Sequence, residues 1–216
     1  MPEFLTITLF VGAVLAMQIT PGPDMMLVMG RGVSQGYRIA QATALGIASA
    51  GLIQLPLLAF GVSSMVMSYP WLFDLIRLAG AAYLLYIGLK LLRSNGGPSQ
   101  STSSARTTFG RAMIDGATTN LLNPKIVVFQ FAFIPQFVDI GAGPVWSQML
   151  FLGIVMKACG LLVMSTIALT SGVTGRWMAR HPIWLKLQER FAGLVMVGLG
   201  FRLLFDVGAE TRPVRH

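Results

Sequence analysis

Two short runs carry residues whose types could do chemistry in surroundings that offer none: Thr20-Pro21-Gly22-Pro23-Asp24 and Asn123-Pro124-Lys125. Each sits inside a mostly apolar stretch. Proline removes a backbone donor and clashes with the preceding turn, and lipid holds no water to satisfy the freed carbonyls. A charged side chain there costs about 3 kcal/mol or more unless it meets a partner or water. The first run exposes carbonyls and amides beside Asp24, which could take a substrate ammonium or exchange a proton. A kink that only shapes packing, with Asp24 reaching the interface near Arg31, accounts for the same residues. Lys125 follows Arg111 by 14 residues, about 21 Å along an unbroken helix, which puts it near mid-bilayer. There it could hold a carboxylate or pair with Asp24, and an ion pair that only locks two segments together also fits.

Further polar residues stand in apolar runs. Pro135-Gln136-Phe137 either exposes carbonyls for Gln136 to cap, with Gln136 free to touch solute, or ends a helix. Lys157 lies mid-way through an uncharged run from Val145 to Val173, with Asp115 as a candidate partner for a structural pair or a coupling site. Gln18, Gln41 and Gln54 fit interhelical hydrogen bonding. Cys159 is the only cysteine and His181 and His216 the only histidines, which leaves no His/Cys-rich metal site or histidine-based triad. No phosphate-cradling glycine motif is present, and neither an enzyme nor a cofactor is expected.

The elements that position these residues follow from composition. The chain is 54% hydrophobic and 11% charged, against roughly 25% charge in soluble domains, and a single transmembrane domain over residues 1–216 is expected. Six spans of about 20 apolar residues fit Phe4–Met29, Ile39–Met67, Trp71–Leu92, Ala112–Val138, Val145–Val173 and Phe191–Val207. The first would be about 39 Å long as one helix, more than the roughly 30 Å core needs, which suits a broken segment. Met1-Pro2-Glu3 has no basic n-region, so the first run reads as a retained span.

The net charge of +8 comes from short clusters between apolar runs rather than an aromatic-interleaved basic face, so no nucleic-acid partner is expected. Arg31, Arg38, Lys90, Arg93, Arg106, Arg111, Arg176, Arg180, Lys186 and Arg190 fall after spans one, three and five, and none falls after spans two and four. That distribution places the basic connections in the cytoplasm and both termini outside. Asp74 with Arg77, and Arg202 with Asp206, read as local pairs.

Residues 94–106 form a Ser/Gly-rich linker that divides the chain into halves at about 4–92 and 108–207. Three spans per half is an odd number, so similar halves face opposite ways across the bilayer, and matching breaks in their opening spans point to a midplane site. The expected fold is all-α, two inverted three-helix repeats with broken helices 1 and 4.

Three motifs in this order, T-P-G-P-D at Thr20–Asp24, G-A-A-Y-L-L-Y-I-G at Gly80–Gly88, and N-P-K with P-Q-F at Asn123–Lys125 and Pro135–Phe137, resemble the lysine exporter and homoserine/threonine exporter (LysE/RhtB) family. The resemblance implies a six-span bacterial inner-membrane protein that exports amino acids or related small metabolites on an ion gradient. It implies a core site at Pro21, Gly22, Pro23, Asp24, Asn123, Pro124 and Lys125, with Gln136 beside it. Lys157 matches none of these motifs. The expected partners are the amino acid, membrane lipid and a coupling proton, and a homo-oligomer stays open. A non-transporting membrane scaffold, or an exporter of another organic or metal cation, is the alternative.

Overall fold

A computed structural model describes residues 4–93, 106–180 and 182–210, and every regular element among them is helical. The linker at 94–106 lies outside the described residues apart from Arg106, as do the side chains of Arg77 and Asp206 on which the expected local pairs depend.

The first apolar run is α1, Phe4–Ile19, followed by α2, Pro23–Gln35, bent against each other by 54°. Gly22 is fully extended at the break (φ −165°, ψ 178°), and Pro23 opens α2 at a position where its missing N–H costs nothing. α2 continues past Met29 to Gln35, so Arg31 is a buried helix residue rather than part of a connection. Its helix continues because the guanidinium finds partners, described below. Gly36 then turns the chain with φ +86°, a conformation costly for any residue with a Cβ.

The second run comprises α3 (Tyr37–Ser49), α4 (Gly51–Pro56), a π-helical stretch at Leu57–Val62 and α5 (Ser63–Ser68). Pro56 lies inside this run, and the wider turn follows it directly. α6 spans Pro70–Leu92. The second half opens with α7 (Phe109–Leu121), breaks at residues 122–123, and resumes as α8 (Pro124–Val128), a π stretch to Phe133 and a 3-10 turn at Ile134–Phe137. Two long helices complete it, α9 (Val145–Arg180) and α10 (Pro182–Glu210). Arg176, Arg180, Lys186 and Arg190, expected in a connection, therefore ride on helices. A helix satisfies its own backbone in lipid and water alike, so leaving the apolar layer does not end it.

By length and hydropathy, three helical runs among the described residues suffice to cross a membrane: Tyr37–Val62, Asp74–Leu92 and Val145–Gly172; the bent pair Ile7–Ile19 with Pro23–Gln35 adds a fourth. The segment expected as span four is not among them, since its break leaves α7 only 13 residues.

α1 and α2 pack on α9, α3 packs on α7 and on α9, and α6 pairs along its length with α10. Glycine permits the tightest crossings. A methyl group at Gly46 would overlap the Met113 carbonyl, and one at Gly116 the Thr43 carbonyl. Gly88 and Gly193 face each other across α6 and α10, where a Cβ on either would stand 2.8 Å from the other's carbonyl oxygen.

Two apolar clusters fill the interior. One holds Phe10, Val14, Met17, Leu58, Phe129, Phe133 and Met156, the other Met25, Val28, Ala40, Ile47, Met164 and Ala168. Along each contributing segment the switch from one cluster to the other brackets a polar residue: Thr20 and Asp24 between Met17 and Met25, Gln54 between Ile47 and Leu58, Lys157 between Met156 and Met164.

Gly46→Ala is expected to lower stability by about 1–3 kcal/mol through overpacking against α7, while Gly12→Ala, inside α1 with open space around it, is expected to hold or slightly raise the melting temperature in detergent. Thermal unfolding of both variants checks this.

Candidate functional site

The layer between the clusters is built from both breaks. At the first, the α1 carbonyls that lose intrahelical donors are taken up one by one. The Thr20 hydroxyl donates to Ala16 O at 2.9 Å, the Thr20 amide to Met17 O at 3.2 Å, and Gln188 Nε2 from α10 to Ile19 O at 2.7 Å. Lys125 Nζ, arriving from the second break, donates to Thr20 O at 3.1 Å and Met17 O at 3.4 Å. Gly22 makes this approach possible, since a Cβ there would stand 3.0 Å from Nζ.

At the second break Asn123 caps α8, its Oδ1 accepting from the Lys125 amide at 3.1 Å. Pro124 occupies the first helical position, as Pro23 does in α2. Asn120, in the last turn of α7, donates from Nδ2 to Asp24 Oδ2 at 2.5 Å and accepts at Oδ1 from Lys157 Nζ at 2.8 Å. Lys157 donates also to Gln54 Oε1, and Gln54 Nε2 returns to the Asn120 carbonyl at 3.4 Å.

Asp24, Asn123 and Lys125 are thus buried, with Pro21 and Gly22 half-buried beside them, whereas Pro23 and Pro124 are exposed. Asp24 lies within electrostatic reach of both Lys125 and Lys157, but among the described residues it forms no direct ion pair with either. Asp24 Oδ1 and Asn123 Nδ2 are buried without a hydrogen-bond partner. The Asn123 side chain nevertheless lies close enough to interact with the Asp24 carboxylate, so this acceptor and this donor, one from each break, stand side by side without completing a bond, where a bound polar molecule could satisfy both.

Two of the sequence candidates stand elsewhere. Asp115 does not meet Lys157. It pairs with Arg31 at 2.6 Å and with Arg111 at 3.0 Å, and Arg31 adds bonds to the Thr43 hydroxyl and the Ala112 carbonyl. The reason is the length of α2, which carries Arg31 two turns past Asp24 to the level of the first turns of α7. Gln136 caps Ala132 O at 2.7 Å within its own turn, 11 residues beyond Lys125 and about three turns away. Asn120 is the member that sequence reasoning did not single out. Its only signal is its place, one turn before a proline break.

On the outer side of Lys157, its aliphatic stem lines a groove of about 520 Å³ between α4 and α9, with Leu52, Leu55, Leu150, Ile154 and Leu161. No three His, Cys, Asp or Glu side chains gather in a metal-binding arrangement among the described residues.

Comparison with known proteins gives the frame for these facts. The family model described as LysE type translocator matches residues 15–207. The chain belongs to this family. The LysE-type chain is 28% identical over 202 residues to a leucine efflux protein of Klebsiella pneumoniae subsp. pneumoniae, covering 91% of this chain and 93% of that one. It is 27% identical over 190 residues to a leucine efflux protein of Enterobacter sp. strain 638, covering 86% and 88%, and 26% identical over 197 residues to one of Salmonella choleraesuis, covering 91% and 92%. No solved structure matches it significantly. As a LysE-type translocator the chain is a membrane transporter and not an enzyme.

Gly22→Ala is expected to push Lys125 Nζ off the Thr20 and Met17 carbonyls and to cost about 1 kcal/mol. Its extended backbone admits alanine without strain, so a drop in melting temperature reads the lysine contact alone. Arg31→Met, which strips Asp115 of its buried partner, is expected to cost about 2 kcal/mol in the same assay.

Proposed function

We propose that this translocator is a secondary-active exporter of amino acids in the bacterial inner membrane, driven by proton entry. The carrying observation is the meeting of the two breaks in one buried layer, Asp24 from the first and Lys125 from the second, with Asn123 beside Asp24 and neither Asp24 Oδ1 nor Asn123 Nδ2 completing a hydrogen bond. A zwitterionic amino acid offers the complementary pair. Its ammonium goes to Asp24, and its carboxylate takes Lys125 and the Asn123 amide, in exchange for the carbonyls that Lys125 now caps. The leucine efflux relatives support an apolar side chain on that amino acid.

The proposed frame is six spans in two inverted repeats, 4–92 and 108–207, with both termini in the periplasm. A pseudo-twofold axis that exchanges span one with four, two with five and three with six requires the packing of one on five to mirror that of two on four, with three paired to six. The pairings α1 and α2 with α9, α3 with α7, and α6 with α10 follow that pattern. Rocking of one half against the other would expose the layer to each side in turn. Asp24 would carry the proton inward after releasing the substrate ammonium outside.

Inverted membrane vesicles energised by a proton gradient test the reading with radiolabelled leucine. Asp24→Asn and Lys125→Ala are each expected to lower uptake about 10-fold or more, the size of one lost charge-assisted bond. Nigericin, which collapses the pH gradient, is expected to abolish accumulation while leaving leucine counterflow intact. Wild-type rates in both variants would overturn this site assignment, and a wild-type protein that moves no leucine would favour the scaffold alternative instead.

A further inference from the structure

Asn120 occupies a position that the transport scheme above does not use. Its carboxamide is held at both ends, Nδ2 by a carboxylate oxygen of Asp24 and Oδ1 by the Lys157 ammonium. The donor end therefore faces the acid and the acceptor end faces the base, and neither neighbour tolerates the flipped amide. Lys157 can only donate and ionised Asp24 can only accept. The backbone carbonyl of the same residue accepts from Gln54 Nε2, whose other end takes Lys157. One residue thus joins α2, α4, α7 and α9, and it does so at the last turn of α7, directly before the break at residues 122–123.

We infer that Asn120 is a positioning residue that makes Lys157 respond to the charge on Asp24. When Asp24 is ionised and free, its oxygen orients the amide and the amide oxygen anchors Lys157. When a proton or a substrate ammonium neutralises Asp24, the bond to Nδ2 weakens from charge-assisted to ordinary, and the amide loses its anchor on the Asp24 side. Without that anchor the amide oxygen is held toward Lys157 less firmly, and the tie of the lysine to α7 loosens. The charged groups around Asp24 are Lys125 from α8 and Lys157 from α9. Lys125 bonds the carbonyls of α1 and not Asn120, which leaves Lys157 as the cation whose bonding Asn120 controls. In this way the loading of a residue on the first half is communicated to a helix of the second half. The Asp24 role rests on the exporter reading, whereas the Asn120 linkage rests on the hydrogen bonds alone.

Two measurements separate these. In proteoliposomes with leucine as probe, Asn120→Leu and Lys157→Met are each expected to lower gradient-driven transport about 10-fold, and the double variant to lower it by the same factor rather than about 100-fold, because the two act as one unit. Multiplicative losses, or an Asn120→Leu protein at wild-type rate, would overturn the inference. The second reading needs no transport. In detergent-purified protein labelled with 15N-lysine, Asp24→Asn is expected to shift the Lys157 side-chain nitrogen resonance when Asn120 is present and to shift it much less in the Asn120→Leu background. Equal shifts in both backgrounds would also overturn it. A wild-type protein inert toward leucine that still shows the Asn120-dependent shift would reject the substrate reading and keep the linkage.

Discussion

A backbone carbonyl freed inside a bilayer has to find a donor from the protein itself, and this constraint organises the molecule. Pro21 and Pro23 deprive the end of α1 of its usual amides. The replacements come from three places: Thr20 itself, Gln188 of α10, and Lys125 of α8. Two of the three are distant in sequence. The break in the first half is thereby stabilised by the second half, and neither half has its backbone satisfied alone. That dependence brings a lysine to mid-layer, and a glycine between the prolines suits it, since a Cβ there would stand 3.0 Å from Nζ and make it give way.

Burying several charged or polar groups in one layer is costly unless each is hydrogen-bonded. The flanking apolar clusters exclude water from both sides, so the satisfied bonds among Asp24, Asn120, Lys157 and Gln54 are strengthened by the same dryness that makes the orphan atoms expensive. The Arg31–Asp115–Arg111 group closes one end of this layer with charge, where it ties α2 to α7. At the opposite end Phe10, Phe129, Phe133 and Phe137 pack against one another in stacked, tilted and edge-to-face pairs, and Arg202 lies over the Phe137 ring at 5.4 Å. The contrast is physical: one end is held by bonds that water can compete for, the other by area that water cannot replace.

Much of this was legible in the residues because proline is. Pro21, Pro23 and Pro124 mark the breaks by what they cannot donate, and apolar length marks the runs between. Helix ends were less legible. Arg31, Arg176 and Lys186 read as loop residues because they are charged, yet charge ends a membrane layer and not a helix. Partnerships were least legible. Asp115 and Lys157 look like a pair as the two ions without obvious partners, but α2 runs two turns further than its apolar part and delivers Arg31 to Asp115 first. Lys157 is then satisfied by two neutral amides, Gln54 and Asn120, and nothing in a one-dimensional pattern says that an amide will stand in for a counter-ion.

The crossing of α6 and α10 at Gly88 and Gly193 has a mechanical side. Backbone touches backbone there, with a carbonyl of each helix seated where the other has only hydrogen. Sliding either helix by a turn would bring the side chain of Leu84, Leu92, Glu189 or Val197, on the same face as the glycines, against a carbonyl. The two helices are therefore keyed like a tongue in a slot, free to pivot about the contact but not to travel along it. Their contact fixes the register of α6 against α10.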